Sequence, residues 1–240
     1  PTLIALITMF FVGTEGTVSA SLLSAVLLTG VILFGIAVTF FATRLLSATV
    51  LKGAPSTFVL ELPPYRRPQF GKIILRSILE RTLFVLGRAA AVAAPAGMLL
   101  WLLANVTAGG ESLLALCSDF LDPFARLMGL DGVILLAFIL GFPANEIVLP
   151  IIVMTYLAEG SLSGTGSLME MKTLFTANGW SLSTALCTMA FSLMHWPCST
   201  TLLTIRKETG SWRWTALSAI LPTSLGILCC MLIHLISTLL

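Results

Sequence analysis

The stretch that decides the fold is Gly132–Leu157, GVILLAFILGFPANEIVLPIIVMTYL, an apolar run interrupted near its centre by polar and helix-breaking residues. A run of about 20 mostly apolar residues is long enough to cross a bilayer. Pro143 has no N–H to donate to the carbonyl of Ile139, and Gly141 relaxes the backbone beside it. The pattern therefore predicts two half-helices that meet at a break inside the membrane.

The composition of the whole chain agrees with a membrane location. Of its 240 residues, 57% are hydrophobic and only 10% are charged, against roughly 25% charged in ordinary soluble domains. This excludes a soluble globular protein, and the net charge of +2 gives no field that would attract nucleic acid. We expect an all-α fold, namely a polytopic transmembrane helical bundle with broken or re-entrant helices.

Hydropathy divides the chain into three regions. Residues 1–43 predict the end of one helix and a helical hairpin, with an apolar run at Ser19–Thr43. Residues 44–82 predict a connector at the membrane surface. Residues 83–240 predict a helix at Leu83–Val106, interrupted segments at Gly132–Leu157 and Ser181–Ile205 with a polar loop between them, and a last span at Trp212–Leu240.

The connector carries two local patterns. Leu62–Pro68, LPPYRRP, must be extended because each proline restricts itself and the residue before it. It is either a stiff connector or a polyproline-recognition motif. From Phe70 the apolar residues fall on one helical face, with Lys72, Arg76 and Glu80 on the opposite face, which predicts an interfacial amphipathic helix.

The distribution of charge predicts the orientation of the chain in the membrane. Ten of the 13 basic residues lie in Arg44–Arg81 and Arg206–Arg213, which the positive-inside rule places on the cytoplasmic side. Thr107–Asp131 is acidic and is expected outside. Both assignments hold together if Gly132–Leu157 enters the membrane and returns to the same side. A broken helix that still crosses is the alternative.

Glu146 is the residue most indicative of function, because it lies inside this apolar stretch. Placing an ionisable side chain in the bilayer costs about 2.5–3.5 kcal/mol on insertion scales. Ionisable residues inside membrane segments therefore usually serve a function. Asn145 adds an amide oxygen beside it. The alternative is a helix-breaking turn whose glutamate reaches an aqueous loop.

A second interruption, Met194–Thr201 (MHWPCSTT), contains His195 and Cys198 on either side of Pro197. The two residues are three apart and would share one side of a helix only if Pro197 did not bend it sharply. Imidazole, thiolate and carboxylate together suit a transition metal such as Fe(II). Two interrupted helices with ligand-type residues at the breaks are typical of transporters with a site at the midplane.

Enzymatic alternatives find no support in the sequence. It contains no HExxH, no GxSxG and no GxxxxGK[ST] motif, so we expect neither a metalloprotease, nor a serine hydrolase, nor a GTP site in this chain. The five cysteines form no CxxC pair, and a disulfide framework is not expected.

The motifs LPPYRRP (Leu62–Pro68), GFPANEI (Gly141–Ile147), Pro197-Cys198 and IRKETGSW (Ile205–Trp212) occur in an order that resembles the ferrous iron transport protein B family, FeoB. The resemblance covers most of the chain and corresponds to the C-terminal part of the permease, from the end of its first gate onward. His195-Trp196 departs from the family pattern, in which many members have an aromatic and a hydroxyl residue before the proline.

The resemblance implies a transporter of Fe²⁺ in the bacterial cytoplasmic membrane. It implies that Glu146, Asn145 and Cys198 handle the ion; His195 would be a ligand particular to this chain. The implied partners are the N-terminal half of the permease, a GTP-binding domain, small Feo-type accessory proteins and further copies of the chain. An organic-solute transporter of nucleoside-permease type and a non-transporting membrane scaffold stay open as alternatives.

Overall fold

The structure is a computed structural model, and it describes residues 2–12, 18–49, 71, 83–108, 110–143, 145–159 and 168–239. These residues are almost entirely helical, which confirms the all-α prediction. The extended segment predicted at Leu62–Pro68 and the amphipathic helix predicted from Phe70 lie outside the described residues, apart from Gly71.

Ten α-helices and one two-stranded hairpin are found in the described residues. In chain order they are α1 (Thr2–Ile7), which continues into a π-helical turn (Thr8–Val12), α2 (Val18–Thr49), α3 (Phe84–Asn105), β1 (Thr107–Ala108), β2 (Glu111–Ser112), α4 (Leu113–Leu127), α5 (Gly132–Leu140), a 3-10 turn (Asn145–Ile147), α6 (Val148–Glu159), α7 (Leu168–Ala177), α8 (Leu182–Met194), α9 (Ser199–Thr209) and α10 (Trp212–Leu239).

Two of the described helices are both long and apolar enough to cross a membrane. They cover Ser19–Thr49 and Trp212–Leu239, and the pair α4–α5, bent by 108°, would count as a third span if taken as one unit. Helix α2 thus extends beyond the predicted Ser19–Thr43, because no helix-breaking residue follows Thr43 before Thr49. The helix predicted at Leu83–Val106 forms as α3.

Close helix packing depends on small residues. Helices α8 and α10 meet at Gly226, where a Cβ atom would lie 3.1 Å from Cβ of Met194. Helices α4 and α5 meet at Gly132, where a Cβ atom would lie only 2.0 Å from the carbonyl oxygen of Ser118. Only glycine allows the backbones of α4 and α5 to approach this closely, since any side chain would collide with backbone atoms.

Two helices occupy segments in which the sequence analysis did not predict them. The acidic segment before Asp131 contains α4, which turns Leu114, Ser118 and Ala125 into the protein interior. The polar loop expected before Ser181 contains α7, whose Leu174 and Phe175 are buried. Describing the second segment as a loop throughout was therefore wrong. In both segments the apolar residues recur at helical spacing among polar ones.

Helices α5 and α6 form an antiparallel hairpin. Asp131 caps the start of α5, its carboxylate accepting a hydrogen bond from the N–H of Ile134 at 2.6 Å. The hydroxyl of Tyr156, near the end of α6, donates to the same carboxylate and accepts a hydrogen bond from Trp180 Nε1 at 2.8 Å. The outer ends of the hairpin therefore lie together, beside Trp180, which lies two residues before the start of α8.

Candidate ion site at two helix breaks

The first break follows α5. Gly141 ends the helix with its N–H bonded to the carbonyl of Ala137 at 2.8 Å. A Cβ atom there would lie 2.5 Å from a side-chain carbon of Val148, so the chain turns back tightly at this point. The N–H of Phe142 donates to the carbonyl of Ile139 at 3.2 Å. The prediction that Pro143 leaves this carbonyl without a donor was wrong, because the turn supplies a nearer one.

The second break follows α8. His195 ends this helix, Cys198 precedes α9, and both have extended backbones. They do not share one side of a continuous helix, because Pro197 ends the helical geometry between them. His195 Nδ1 lies 3.0 Å from the carbonyl oxygen of Phe191. Since a carbonyl can only accept, a hydrogen bond here needs the proton on Nδ1, and Nε2 of the neutral imidazole then keeps its lone pair.

The structure brings the two breaks together. The backbone N–H of Ser199, the first residue of α9, donates to the carbonyl of Phe142 at 3.0 Å. On the helix before each break, the rings of Phe138 and His195 lie 5.0 Å apart between centroids. This contact between the breaks was not predictable from either segment alone. It places the polar residues of both breaks in one region of the protein.

Several buried polar atoms in this region have no hydrogen-bond partner among the described residues. They are Asn145 Oδ1, His195 Nε2, Trp196 Nε1 and Ser199 Oγ. Buried polar groups are almost always hydrogen-bonded, so such a group indicates either a missing partner or a function. Three of the four atoms can present a lone pair to a cation. Ser199 was not among the residues predicted from the sequence, although its position after a proline-broken helix was a signal.

Glu146 and Cys198 occupy more accessible positions. Glu146 lies in the 3-10 turn before α6 and is exposed. Cys198 is half-buried, and its sulfur lies 3.1 Å from the hydroxyl oxygens of both Thr200 and Thr201. The threonines add two further oxygen atoms near the sulfur. Neither threonine was predicted from the sequence to take part in the site.

The predicted ligands do not form a closed metal centre. Within the described part of the chain, no group of three or more His, Cys, Asp and Glu side chains could together hold a metal ion. The polar atoms of the breaks instead resemble an incomplete, open site. The backbone contributes to its electrostatics, because α5 and α8 both end there and the C-terminal end of a helix carries partial negative charge.

Fold and site together define an α-helical membrane protein with a gate of interrupted helices. A family model described as Gate, "Nucleoside recognition", matches residues 86–212, which is more than half of the chain and includes both breaks. A second model, "Ferrous iron transport protein B C terminus", matches residues 28–81. The chain therefore belongs to the ferrous iron transport protein B family and represents its C-terminal part.

Curated relatives agree with this assignment. The Fe(2+) transporter FeoB of Staphylococcus aureus (strain MSSA476) is 29% identical over 195 residues, covering 77% of this chain and 27% of the relative. The proteins of the same name from Methanocaldococcus jannaschii and Synechocystis sp. are 29% and 28% identical, over 85% and 88% of this chain. The chain spans between 27% and 32% of the length of these relatives. No solved structure matches the chain.

Proposed function

We propose that this chain is part of a permease that moves Fe²⁺ across the bacterial cytoplasmic membrane, and that the ion passes the point where the two helix breaks meet. The observation that carries this proposal is the 3.0 Å hydrogen bond from Ser199 N–H to the carbonyl of Phe142. It joins the two breaks, whose residues Asn145, His195 and Ser199 each carry a buried lone-pair atom without a partner in the described part of the chain.

The chemistry of these atoms suits Fe²⁺. Amide and hydroxyl oxygens, an imidazole nitrogen, a carboxylate and a thiol make a mixed set of hard and borderline ligands, which Fe²⁺ accepts. In transporters, the C-terminal ends of interrupted helices commonly help to hold a cation near the bilayer midplane. Helices α5 and α8 both end at this point.

We assign Glu146 and Cys198 to the accessible side of the site and Asn145 and His195 to its buried side. The imidazole is oriented for this role, since its Nδ1 proton is engaged by the carbonyl of Phe191 at 3.0 Å. Metal-binding histidines usually donate their second ring N–H to an acceptor of this kind. An incomplete ligand set is also what transport requires, because an ion that is held too tightly cannot leave.

The α5–α6 hairpin accounts for the orientation. Helix α5 has nine residues and α6 has 12, so at 1.5 Å per residue they are about 14 and about 18 Å long. Neither length crosses a hydrocarbon core of about 30 Å. Because the outer ends of the hairpin meet at Asp131 and Tyr156, we infer that Gly132–Leu157 is re-entrant. Both basic loops then lie in the cytoplasm.

The test is uptake of radiolabelled Fe²⁺ by cells that carry the variants in the intact transporter. Glu146→Gln and Cys198→Ala should each lower uptake about tenfold, if each ligand contributes about 1.4 kcal/mol to the bound ion. The matched controls are Glu111→Gln, an exposed residue of strand β2, and Cys117→Ala, on α4. Neither residue belongs to a break. Normal uptake by both site variants, with normal membrane insertion, would refute the site.

A polar organic solute is the second candidate, because the family model that covers both breaks is described as "Nucleoside recognition". The unpartnered atoms of Asn145, Trp196 and Ser199 would then hydrogen-bond the solute rather than coordinate a metal. Uptake of labelled uridine and of Fe²⁺ by the same cells separates the two functions. Uptake of uridine that Fe²⁺ does not inhibit, without uptake of iron, would favour the solute.

A further inference from the structure

Helix α4 has three distinct faces. Successive residues of an α-helix point about 100° apart, so every third or fourth residue falls on one stripe. One stripe of α4, about 80° wide on this spacing, consists of large apolar residues. They are Leu116, Phe120, Phe124 and Leu127. The buried residues Leu114, Ser118 and Ala125 point about 140° away from the centre of this stripe. The apolar stripe is therefore not the face by which α4 packs on the protein.

The apolar stripe is open to the surroundings of the protein. The exposed fractions are 40% for Leu116, 84% for Phe120, 49% for Phe124 and 60% for Leu127. Exposed apolar patches mark a surface for lipid or for another protein. Leu and Phe are typical of the apolar face of helices that lie on a membrane, whereas protein interfaces are anchored mainly by Trp, Tyr and Arg. The composition of the stripe favours lipid.

The third face of α4 is charged. Asp119, Asp122 and Arg126 point about 125° away from the centre of the apolar stripe, on the side opposite to the buried face. Arg126 is ion-paired with Asp122, and both Asp119 and Arg126 are exposed. A helix with one apolar face and one charged face binds at the boundary between lipid and water, because each face then meets the solvent that suits it.

The angle between α4 and α5 agrees with this location. The two helices are bent by 108° relative to each other, and they are in contact where Gly132 meets the carbonyl of Ser118. A helix in the membrane surface and a helix that enters the membrane stand at about a right angle. If α4 and α5 instead formed one bent span, the charged face of α4 would enter the hydrocarbon, which membranes penalise strongly.

We propose that α4 lies in the lipid–water interface, with its apolar stripe among the acyl chains and its charged face in water. The bilayer surface is then the partner of this helix. The placement also fixes a depth for the first break. The nine residues of α5 extend about 14 Å from the interface, which is about half of a hydrocarbon core of about 30 Å. The break at Gly141 therefore lies near the midplane.

The experiment measures the surroundings of two neighbouring residues by fluorine NMR of the intact transporter in phospholipid nanodiscs. The label 4-trifluoromethylphenylalanine replaces either Phe120 or, as the matched control, Asp119. Both positions are exposed and lie in the same helical turn, but they point about 100° apart. Dissolved oxygen concentrates in hydrocarbon, whereas a gadolinium chelate stays in water, so the two reagents report on the two environments.

We expect opposite results at the two positions. Oxygen should relax the label at Phe120 more strongly than the chelate does, and the chelate should relax the label at Asp119 more strongly than oxygen does. Labels at Leu116 and Phe124 should repeat the result of Phe120, because they share its stripe. They also keep the test decisive if the label at Phe120 disturbs the fold.

Three outcomes would overturn the proposal. Relaxation by the chelate at every position would place α4 in water. Relaxation by oxygen alone at every position, including Asp119, would place α4 inside the hydrocarbon as part of a bent span. Protection of the stripe from both reagents would show that another part of the transporter or a second copy covers it. None of these measurements involves iron, so their outcome is independent of the proposed function.

Discussion

Ser199→Ala separates structure from function at the meeting point of the two breaks. The backbone N–H of Ser199 holds the breaks together through its 3.0 Å hydrogen bond to Phe142, and alanine keeps this N–H. The side-chain hydroxyl is buried without a partner in the described part of the protein, and alanine removes it. The substitution therefore changes only the atom that we assign to the passing ion.

The expected effect on stability is zero or favourable. A buried hydroxyl without a hydrogen bond costs about 1–3 kcal/mol, so its removal should leave the free energy of unfolding unchanged or raise it by up to about 2 kcal/mol. The matched control is Thr188→Val on α8. Thr188 is also buried, but its hydroxyl donates to the carbonyl of Thr184 at 2.8 Å. Loss of this satisfied bond should cost about 1 kcal/mol.

Two assays together decide the outcome. Denaturant unfolding of the purified protein in detergent gives the change in stability, and uptake of radiolabelled Fe²⁺ in the intact transporter gives the change in function. We expect Ser199→Ala to be at least as stable as the wild type and yet slower in uptake. A loss of about 1 kcal/mol or more would mean that the hydroxyl has a structural partner. Full stability with unchanged uptake would remove Ser199 from the ion path.

Two further substitutions test the packing that positions the site, both measured by denaturant unfolding in detergent. Gly132→Ala would place a Cβ atom 2.0 Å from the carbonyl oxygen of Ser118 and should destabilise the protein by about 1–3 kcal/mol. The control is Gly30→Ala, where a Cβ atom would meet nothing within 4 Å, and this variant should stabilise the protein by about 0.5–1 kcal/mol. Equal effects of the two substitutions would contradict the close approach of α4 and α5. Tyr156→Phe leaves the carboxylate of Asp131 without its hydroxyl donor and should cost about 1.5–3 kcal/mol; an unchanged midpoint would show that this contact does not hold the hairpin.

The helix breaks could be predicted from sequence because their cause is local. Pro143 and Pro197 cannot donate a backbone hydrogen bond, and each lies beside polar residues, whereas other prolines of the chain lie inside continuous helices. The structure confirms an interruption at each of them. The detail beside Pro143 was predicted wrongly, since Phe142 donates to the carbonyl of Ile139 at 3.2 Å. A turn can satisfy a carbonyl that a helix would leave open.

The two helices that were not predicted, α4 and α7, show why charge was a poor guide. Charged residues concentrate in these segments and suggest loops, but a helix needs only one apolar stripe to pack. Leu114 and Ala125 supply part of that stripe in α4, and Leu174 and Phe175 supply it in α7. The burial of these residues depends on neighbours such as α5, which a reading of either segment alone does not contain.

The meeting of the two breaks has a different origin, because it requires two distant segments to pair. Sequence reasoning found the polar residues at each break but could not show that the N–H of Ser199 bonds to the carbonyl of Phe142. This one contact changes the meaning of the residues around it. Asn145 and His195, taken separately, are polar side chains with ordinary explanations. At two breaks that meet, and with buried atoms that have no partner among the described residues, they are candidates for one site.

The same contact explains why the site is open rather than closed. Each break ends a helix, so the polar atoms are held by helix ends and turns instead of by one rigid helix face. The described residues bring no three strong metal ligands together, and each further strong ligand would raise the affinity for the ion and slow its release. A site for storing an ion needs high affinity, whereas a permease needs ligands of moderate strength in succession. Under the proposed function, an open arrangement in this part of the chain suits an ion that must leave again, and Asn145, His195 and Ser199 are the residues that we propose as its ligands.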